Sequence, residues 1–246
     1  MAVDAALARS VGEGAPPALR FYRWNPPTLS LGRNQPARGR YDLDALCARG
    51  IGVVRRPTGG RAVLHDRELT YSVAVREGEL GTPRECYAAI NRALVAGLRR
   101  LGVAAQLQPR TGARAPVPSL APCFKEPTEG EVVVGGRKLV GSAQRRERGV
   151  TLQHGSLLLE GDQGEVRGLL LNPGEDSAPG DDLPPVSLAA LLDPLPAWEE
   201  VTAALAAGWT EVMGGSLVPG ELSAGESTAA EERVAHFADP AWTWHL

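Results

Sequence analysis

The sequence is short of the residues that would mark several protein classes. Its 246 residues contain three cysteines, Cys47, Cys86 and Cys123, an odd number with no Cys-x-x-Cys spacing. That argues against a disulfide framework and against a structural zinc site, so no metal is expected and a reducing cytoplasm is the expected compartment. No apolar run reaches the roughly 18 residues needed to span a bilayer, so no membrane partner is expected. The opening stretch, MAVDAALARSVGEGAPP, lacks the basic-then-apolar layout of an export signal. It reads instead as an amphipathic helix closed by glycine and paired prolines. Charge of one sign is also lacking. A formal net charge of -3 gives no overall field favouring nucleic acid. The basic stretch RRERG at 145–149 reads as a solvated hairpin turn.

What is present fits a globular protein able to bury a core, 43% hydrophobic and 22% charged, with many turns implied by 29 glycines and 20 prolines. Residues 20–32 read as two short strands around an Asn-Pro-Pro turn, and 41–49 as a helix stopped by Gly50. IGVVRR and ELTYSVAV read as strands. Residues 83–101 give the clearest helix, with Pro83 in the first turn and one stripe through Tyr87, Ile90, Leu94, Leu98 and Leu101. Cys86 at the edge of that stripe and Cys47 on the earlier helix read as packing residues. VAAQLQ is a further strand. Residues 131–160 alternate β-branched residues and turn at Gly135-Gly136, which predicts a hairpin running into a third strand. Residues 161–187 are acidic and Pro/Gly-rich, and two helices follow, one over PAWEEVTAALAAGWTEVMG and one near 226–237. The order predicts an α+β fold of mixed, largely antiparallel sheets packed with helices.

Three segments carry residues suited to chemistry. The first is RRPTGGRAVLHD, 55–66. Gly59 and Gly60 make a tight turn or let a ligand approach the backbone. Arg55, Arg56 and Arg61 beside them suit a phosphate or an acyl carbonyl. His65 is either a pocket residue or a structural histidine pinned by Asp66. The second is GRKLVGSAQ, 136–144, where Lys138 is a solvated strand lysine or one aimed into a pocket to polarise a carbonyl. If 137–144 and 151–159 pair antiparallel, Lys138 and His154 of QHGS approach one site. The third is APCFKEP, 121–127, after the proline-rich loop 109–122. Cys123 there is either a small buried residue or, near Lys125 and Lys138, a thiolate nucleophile.

These segments together resemble the biotin/lipoate protein ligase superfamily, in its lipoate and octanoate branch. The matching pieces are MAVDAALA, LRFYRWNPPTLSLGRNQ, VVRRPTGGRAVLHDRELTYSV, GRKLVGSAQRRERGVTLQHGSLLL and SLAALL, in the family's order. The chain opens at the first of these, without the strand that usually precedes it. The resemblance implies a class II synthetase-like or biotin-protein-ligase-like catalytic domain over 1–246, with the part from about 161 onward helical. It also implies a pocket for an octanoyl chain. Arg55, Arg56, Thr58, Gly59, Gly60 and His65 would surround the reactive end. Gly141, Ser142, Ala143, His154 and Gly155 would complete the substrate-binding set. Lys138 would contact the acyl carbonyl, and Cys123 would be the nucleophile.

Two chemistries divide the branch. Lipoate ligases activate a free acid with ATP and magnesium. Cysteine-type octanoyltransferases take the acyl group from acyl carrier protein and need no cofactor. They pass it to a lysine of a lipoyl domain, such as the glycine-cleavage H protein or a 2-oxoacid dehydrogenase E2. PCF stands where the ligase carries its Asn-Asp pair, the Gly-Gly segment has the transferase form, and only about 85 residues follow residue 160. These favour the transferase. An octanoyl amidotransferase between lipoyl domains shares the Cys–Lys chemistry, and a non-catalytic binder would need neither residue. A biotin ligase is disfavoured because its Gly-Arg-Gly-Arg-x-Gly loop is absent.

Overall fold

A computed structural model describes residues 1–109, 129–172 and 184–246 of the chain. In chain order the elements are α1 (Ala2–Glu13), β1 (Ala18–Tyr22), β2 (Thr28–Leu31), α2 (Leu43–Ala48), β3 (Gly52–Arg55), β4 (Val63–His65), β5 (Glu68–Arg76) and α3 (Pro83–Arg100). There follow β6 (Gln106–Leu107), β7 (Val132–Val134), β8 (Arg137–Glu147), β9 (Val150–Leu158), α4 (Trp198–Met213), α5 (Ala224–Ala238) and α6 (Pro240–Thr243). Short 3-10 turns cover Gly164–Leu169 and Leu188–Ala190.

The strands form two sheets. Six run in the order β1-β5-β9-β8-β7-β6, each neighbour antiparallel, and three in the order β3-β2-β4, where β2 and β3 are parallel. The expected α+β class is therefore present. The two strands flanking the Asn-Pro-Pro turn do not pair with one another. β1 joins β5 in the large sheet and β2 sits at the centre of the small one.

One face of the large sheet is dry. Tyr71, Val73, Leu139 and Leu157 meet Ile90, Leu94 and Leu98 of α3 and Val201 and Leu205 of α4. α3 starts as its sequence dictates. Pro83 takes the first turn, and Thr82 and Glu85 close a reciprocal capping box, with Glu85 Oε2 accepting from the Thr82 amide at 2.7 Å. Cys86 faces this core and is 3% exposed. Cys47, expected to pack, is exposed instead, because the short α2 buries Leu46 alone. The other face of the large sheet is covered by α1, through Val11 against Ala74 and Val150, and by the small sheet, through Val63 against Leu158. α5 packs on the outside of α1. The space between the large sheet and this second layer is where the chemistry-bearing segments meet.

Candidate functional site

Strand alternation sends the two adjacent arginines of RRPTGG to different places. Arg55 is fully buried and does not reach the acyl-site residues. Its Nη1 donates to the carbonyls of Gly32 at 2.6 Å and Gln35 at 2.8 Å, and its Nε to Thr243 at 2.8 Å. It ties loop 32–35 to the C-terminal segment. Arg56 turns the other way and clamps the glycine loop. Nη2 donates to the carbonyls of Gly59 at 2.8 Å and Arg61 at 2.6 Å, and Nη1 to Ser30 O at 2.9 Å. Gly60 has φ +92°, a conformation that favours glycine. The loop also lies hard against Gly32, where an added Cβ would stand 1.8 Å from the Gly60 carbonyl oxygen.

β8 and β9 pair antiparallel as the sequence predicts, with Gly141 opposite Ser156 and Ala143 opposite His154. Their shared face, with Arg56, His65 and Thr70, lines a narrow cavity between the sheets. Arg56, His65, Gly141, Ser142, Ala143, His154 and Gly155 all border it, so seven residues from three separate sequence segments converge. The cavity holds about 20 Å³, room for a single water, so an acyl chain enters only if its walls part. Gly155 is required by its neighbours within the sheet, on the side away from the cavity. A Cβ there would stand 2.4 Å from Gly141 O and 2.7 Å from Tyr71 Cε1. Gly59 faces open space, and Thr58 lies behind the cavity with its hydroxyl hydrogen-bonded to His154 Nε2.

His154 is buried, and burial, partly offset by the nearby Asp4 carboxylate, holds its pKa below the ordinary 6.5. The imidazole is therefore neutral near pH 7. Its Nδ1 stands 3.9 Å from Asp4 Oδ2, too far for a hydrogen bond. Asp4, on α1, is fully buried and accepts from Arg20 Nη1 at 2.9 Å, Tyr22 Oη at 2.8 Å and Ser72 Oγ at 2.9 Å. Burial opposes its charge, yet His154, the N-terminal ammonium 3.8 Å away and the Arg20 guanidinium outweigh it and hold the carboxyl well below the usual range. His65 is set by Ser30 Oγ, 2.8 Å from Nε2, by Glu68 Oε1, 3.5 Å from Nδ1, and by the Trp24 ring stacked at 4.5 Å. The acid beside it is thus Glu68. Asp66 faces Arg67 at 3.4 Å.

Lys138 does not border this cavity. β7 and β8 pair with a shift of register, Val132 opposite Val140 but Val133 opposite Lys138. The shift sends both Leu139 and Val140 into the core, and by alternation it turns Lys138 to the face of Gly141 and Ala143. There Lys138, 2% exposed, donates from Nζ to Glu131 Oε1 at 2.7 Å. Behind the cavity a buried polar cluster supports Ser142. Its Oγ lies 2.7 Å from Tyr71 Oη, which accepts from Gln153 Nε2 at 2.9 Å, while Asn91 on α3 donates to Gly130 O at 2.8 Å. Burial pushes the Tyr71 phenol up to about 12, so it stays a neutral donor.

Cys123 and Lys125 lie outside the described residues. Several site residues escape the sequence reading, among them Asp4, Ser30, Thr70, Asn91, Glu131 and Ser156. Only Asp4 leaves a signal, a carboxylate in helical register with Ala8 and Val11 on the side of α1 that faces the sheet.

Comparison with known proteins agrees with this geometry. Residues 1–209 match the model of the lipoyl protein ligase A/B catalytic domain. The chain is 47% identical to an octanoyltransferase LipM of Kyrpidia tusciae, over 99% of this chain and 93% of that one. It is 44% identical to an octanoyltransferase LipM of Symbiobacterium thermophilum, over 95% and 89%. Among solved structures, a putative lipoate protein ligase of T. acidophilum with bound lipoic acid superposes with a TM-score of 0.80 at 26% identity, covering 100% of this chain and 92% of that one. A lipoate-protein ligase A bound with ATP gives the same TM-score and identity, covering 99% and 92%.

Proposed function

The chain belongs to the lipoyl protein ligase A/B catalytic-domain family, and from that membership we propose that it is an octanoyltransferase that modifies lipoyl domains with Cys123 as nucleophile. The observation that carries the reading is the 47% identity, along nearly the whole chain, to a protein named as such a transferase. The converging cavity supports it, since small residues on β8 and β9 leave a slot between two sheets that an unbranched acyl chain would occupy once the walls part.

The proposed donor is octanoyl-acyl carrier protein and the acceptor a lysine of a lipoyl domain. The Cys123 thiolate attacks the thioester carbonyl, a new C–S bond forms, the donor C–S bond breaks, and the carrier leaves as its thiol. Exchange of one thioester for another is close to isoenergetic, so the step needs no ATP and no cofactor. The neutral acceptor amine then attacks the acyl-cysteine, a C–N bond replaces the C–S bond, and the thiolate is restored. The amine gives up one proton on the way. His154, neutral at working pH, is the proposed acceptor of that proton. Lys138, held by Glu131 on the cavity face of the large sheet but outside the closed cavity, is the proposed stabiliser of the oxyanion in both steps once the walls part. The runner-up, an ATP-dependent ligase, draws on the ATP-bound structural relative.

The test is octanoylation of an apo lipoyl domain from octanoyl-acyl carrier protein without ATP. Modification should proceed with the native protein and be lost in Cys123→Ser. Modification retained in Cys123→Ser, or seen only with free acid and ATP, would overturn the reading.

A further inference from the structure

Farther along the same sheet face a much larger cleft opens, about 650 Å³, between α1, the end of the β8–β9 hairpin, Arg33, Pro57 and α5. Its walls carry six basic side chains, Arg9, Arg33, Arg145, Arg148, Arg233 and His236. Two carboxylates face them, and both are already engaged. Arg9 Nε pairs with Glu13 at 2.7 Å and Arg145 Nη2 with Glu147 at 2.7 Å. Arg33, Arg148 and Arg233 have no ion pair among the described residues. The chain as a whole is acidic, with net charge -3, so this concentration of guanidinium is local. It is also costly. Burial depresses the Arg145 pKa, and Arg33, Arg148 and Arg233 depress it further against the opposing pull of Glu147. An anion in the cleft would relieve that repulsion.

The cleft adjoins the acyl cavity. Ala143 borders the cavity and Arg145, two positions along β8, borders the cleft. Pro57 lines the cleft, while its neighbour Thr58 is hydrogen-bonded to His154, which lines the cavity. At a rise of about 3.4 Å per strand residue, Arg145 lies roughly 7 Å from Ala143, and Arg148 stands beyond it in the turn that follows β8. The cleft is too small for a folded protein and suits an extended arm ending in an anionic group.

We propose that this cleft receives the phosphate of a phosphopantetheine-type acyl donor, with Arg33, Arg148 and Arg233 around the phosphate and the arm running along β8 toward the acyl cavity. The assignment rests on the octanoyl-donor reading and names the group by which the donor is held.

The test compares S-octanoyl-4′-phosphopantetheine with S-octanoylpantetheine, which lacks only the phosphate, as donors to an apo lipoyl domain. With the native protein kcat/KM should favour the phosphorylated donor by about tenfold, the scale of a few partly exposed charged contacts. That ratio should fall toward one in Arg148→Ala/Arg233→Ala and also at high salt. The native protein's ratio requires no variant to fold. A ratio near one in the native protein overturns the assignment and leaves the transferase reading intact. Activity with octanoyl-acyl carrier protein but with neither small donor also overturns it, since the cleft would then read the carrier's own surface. Transfer from none of the three donors overturns the underlying reading as well.

Discussion

Replacing Gly155 by alanine tests the packing of the large sheet directly behind the acyl cavity. Gly155 sits mid-strand on β9, opposite Ser142 on β8 and Tyr71 on β5. A Cβ there would stand 2.4 Å from Gly141 O, 2.7 Å from Tyr71 Cε1 and 2.9 Å from Ser142 Oγ. Ser142 Oγ can rotate away. The other two cannot, because Gly141 O belongs to the sheet backbone and the Tyr71 ring is fully buried with its hydroxyl bound to Ser142 and Gln153. Relief requires β8 to move from β9 or Tyr71 to leave its network. Overpacking of this kind costs about 1–3 kcal/mol, and two immovable contacts place Gly155→Ala near 3 kcal/mol. For a chain of this size that lowers Tm by about 6–12 °C. Thermal unfolding followed by circular dichroism measures it, and octanoyl transfer should fall in parallel as β8 and β9, which floor the cavity, are displaced. An unchanged Tm would refute the close packing of β8 and Tyr71 against Gly155.

Three further outcomes follow from the geometry. Glu131→Gln leaves the Lys138 ammonium without its 2.7 Å carboxylate in a buried place, at about 3 kcal/mol by chemical denaturation; Lys138→Met/Glu131→Leu should restore most of that stability while abolishing transfer. Equal stability of the single and double variants would show that the ion pair is not felt. His154 has a folded-state pKa below its unfolded value, so between the two the unfolded chain binds the extra proton, and stability is full above about pH 6.5 and declines as pH falls below it. The pH dependence of unfolding between pH 7 and 5 should flatten in His154→Gln, and an unaltered slope would contradict the buried neutral imidazole. Asp4→Asn removes a charge that accepts from three donors, and should destabilise by about 2 kcal/mol in the same unfolding assay.

The elements set by local chemistry were legible in the sequence. The stripe through Ile90, Leu94 and Leu98 and the proline at residue 83 give α3, and Gly135-Gly136, at φ 56° and 76°, gives the turn between β7 and β8. The antiparallel pairing of β8 with β9 could be read from alternation, but not the register that sets Ala143 opposite His154 and leaves Lys138 off the cavity that His154 borders. What escaped depends on partners distant in the chain. Nothing near Asp4 announces Arg20 or Ser72, because the strand register alone brings them together. Glu131 finds Lys138 through a shift of one residue between β7 and β8 that no local pattern signals. The separation of β1 and β2 into different sheets is likewise set by their partners, β5 and β4, and not by the turn between them. Arg55 and Arg56 were both expected around the reactive end, but the side chains of adjacent extended residues point to opposite sides and only Arg56 borders the cavity.

The proposed covalent step has a direct readout in the intact mass of the protein after incubation with octanoyl-acyl carrier protein in the absence of ATP. A gain of one octanoyl group, removed by hydroxylamine, mapped to Cys123 and missing in Cys123→Ser, is the expected result. An unmodified protein that lipoylates its acceptor only when ATP and free lipoate are supplied would contradict the account and make the chain a ligase.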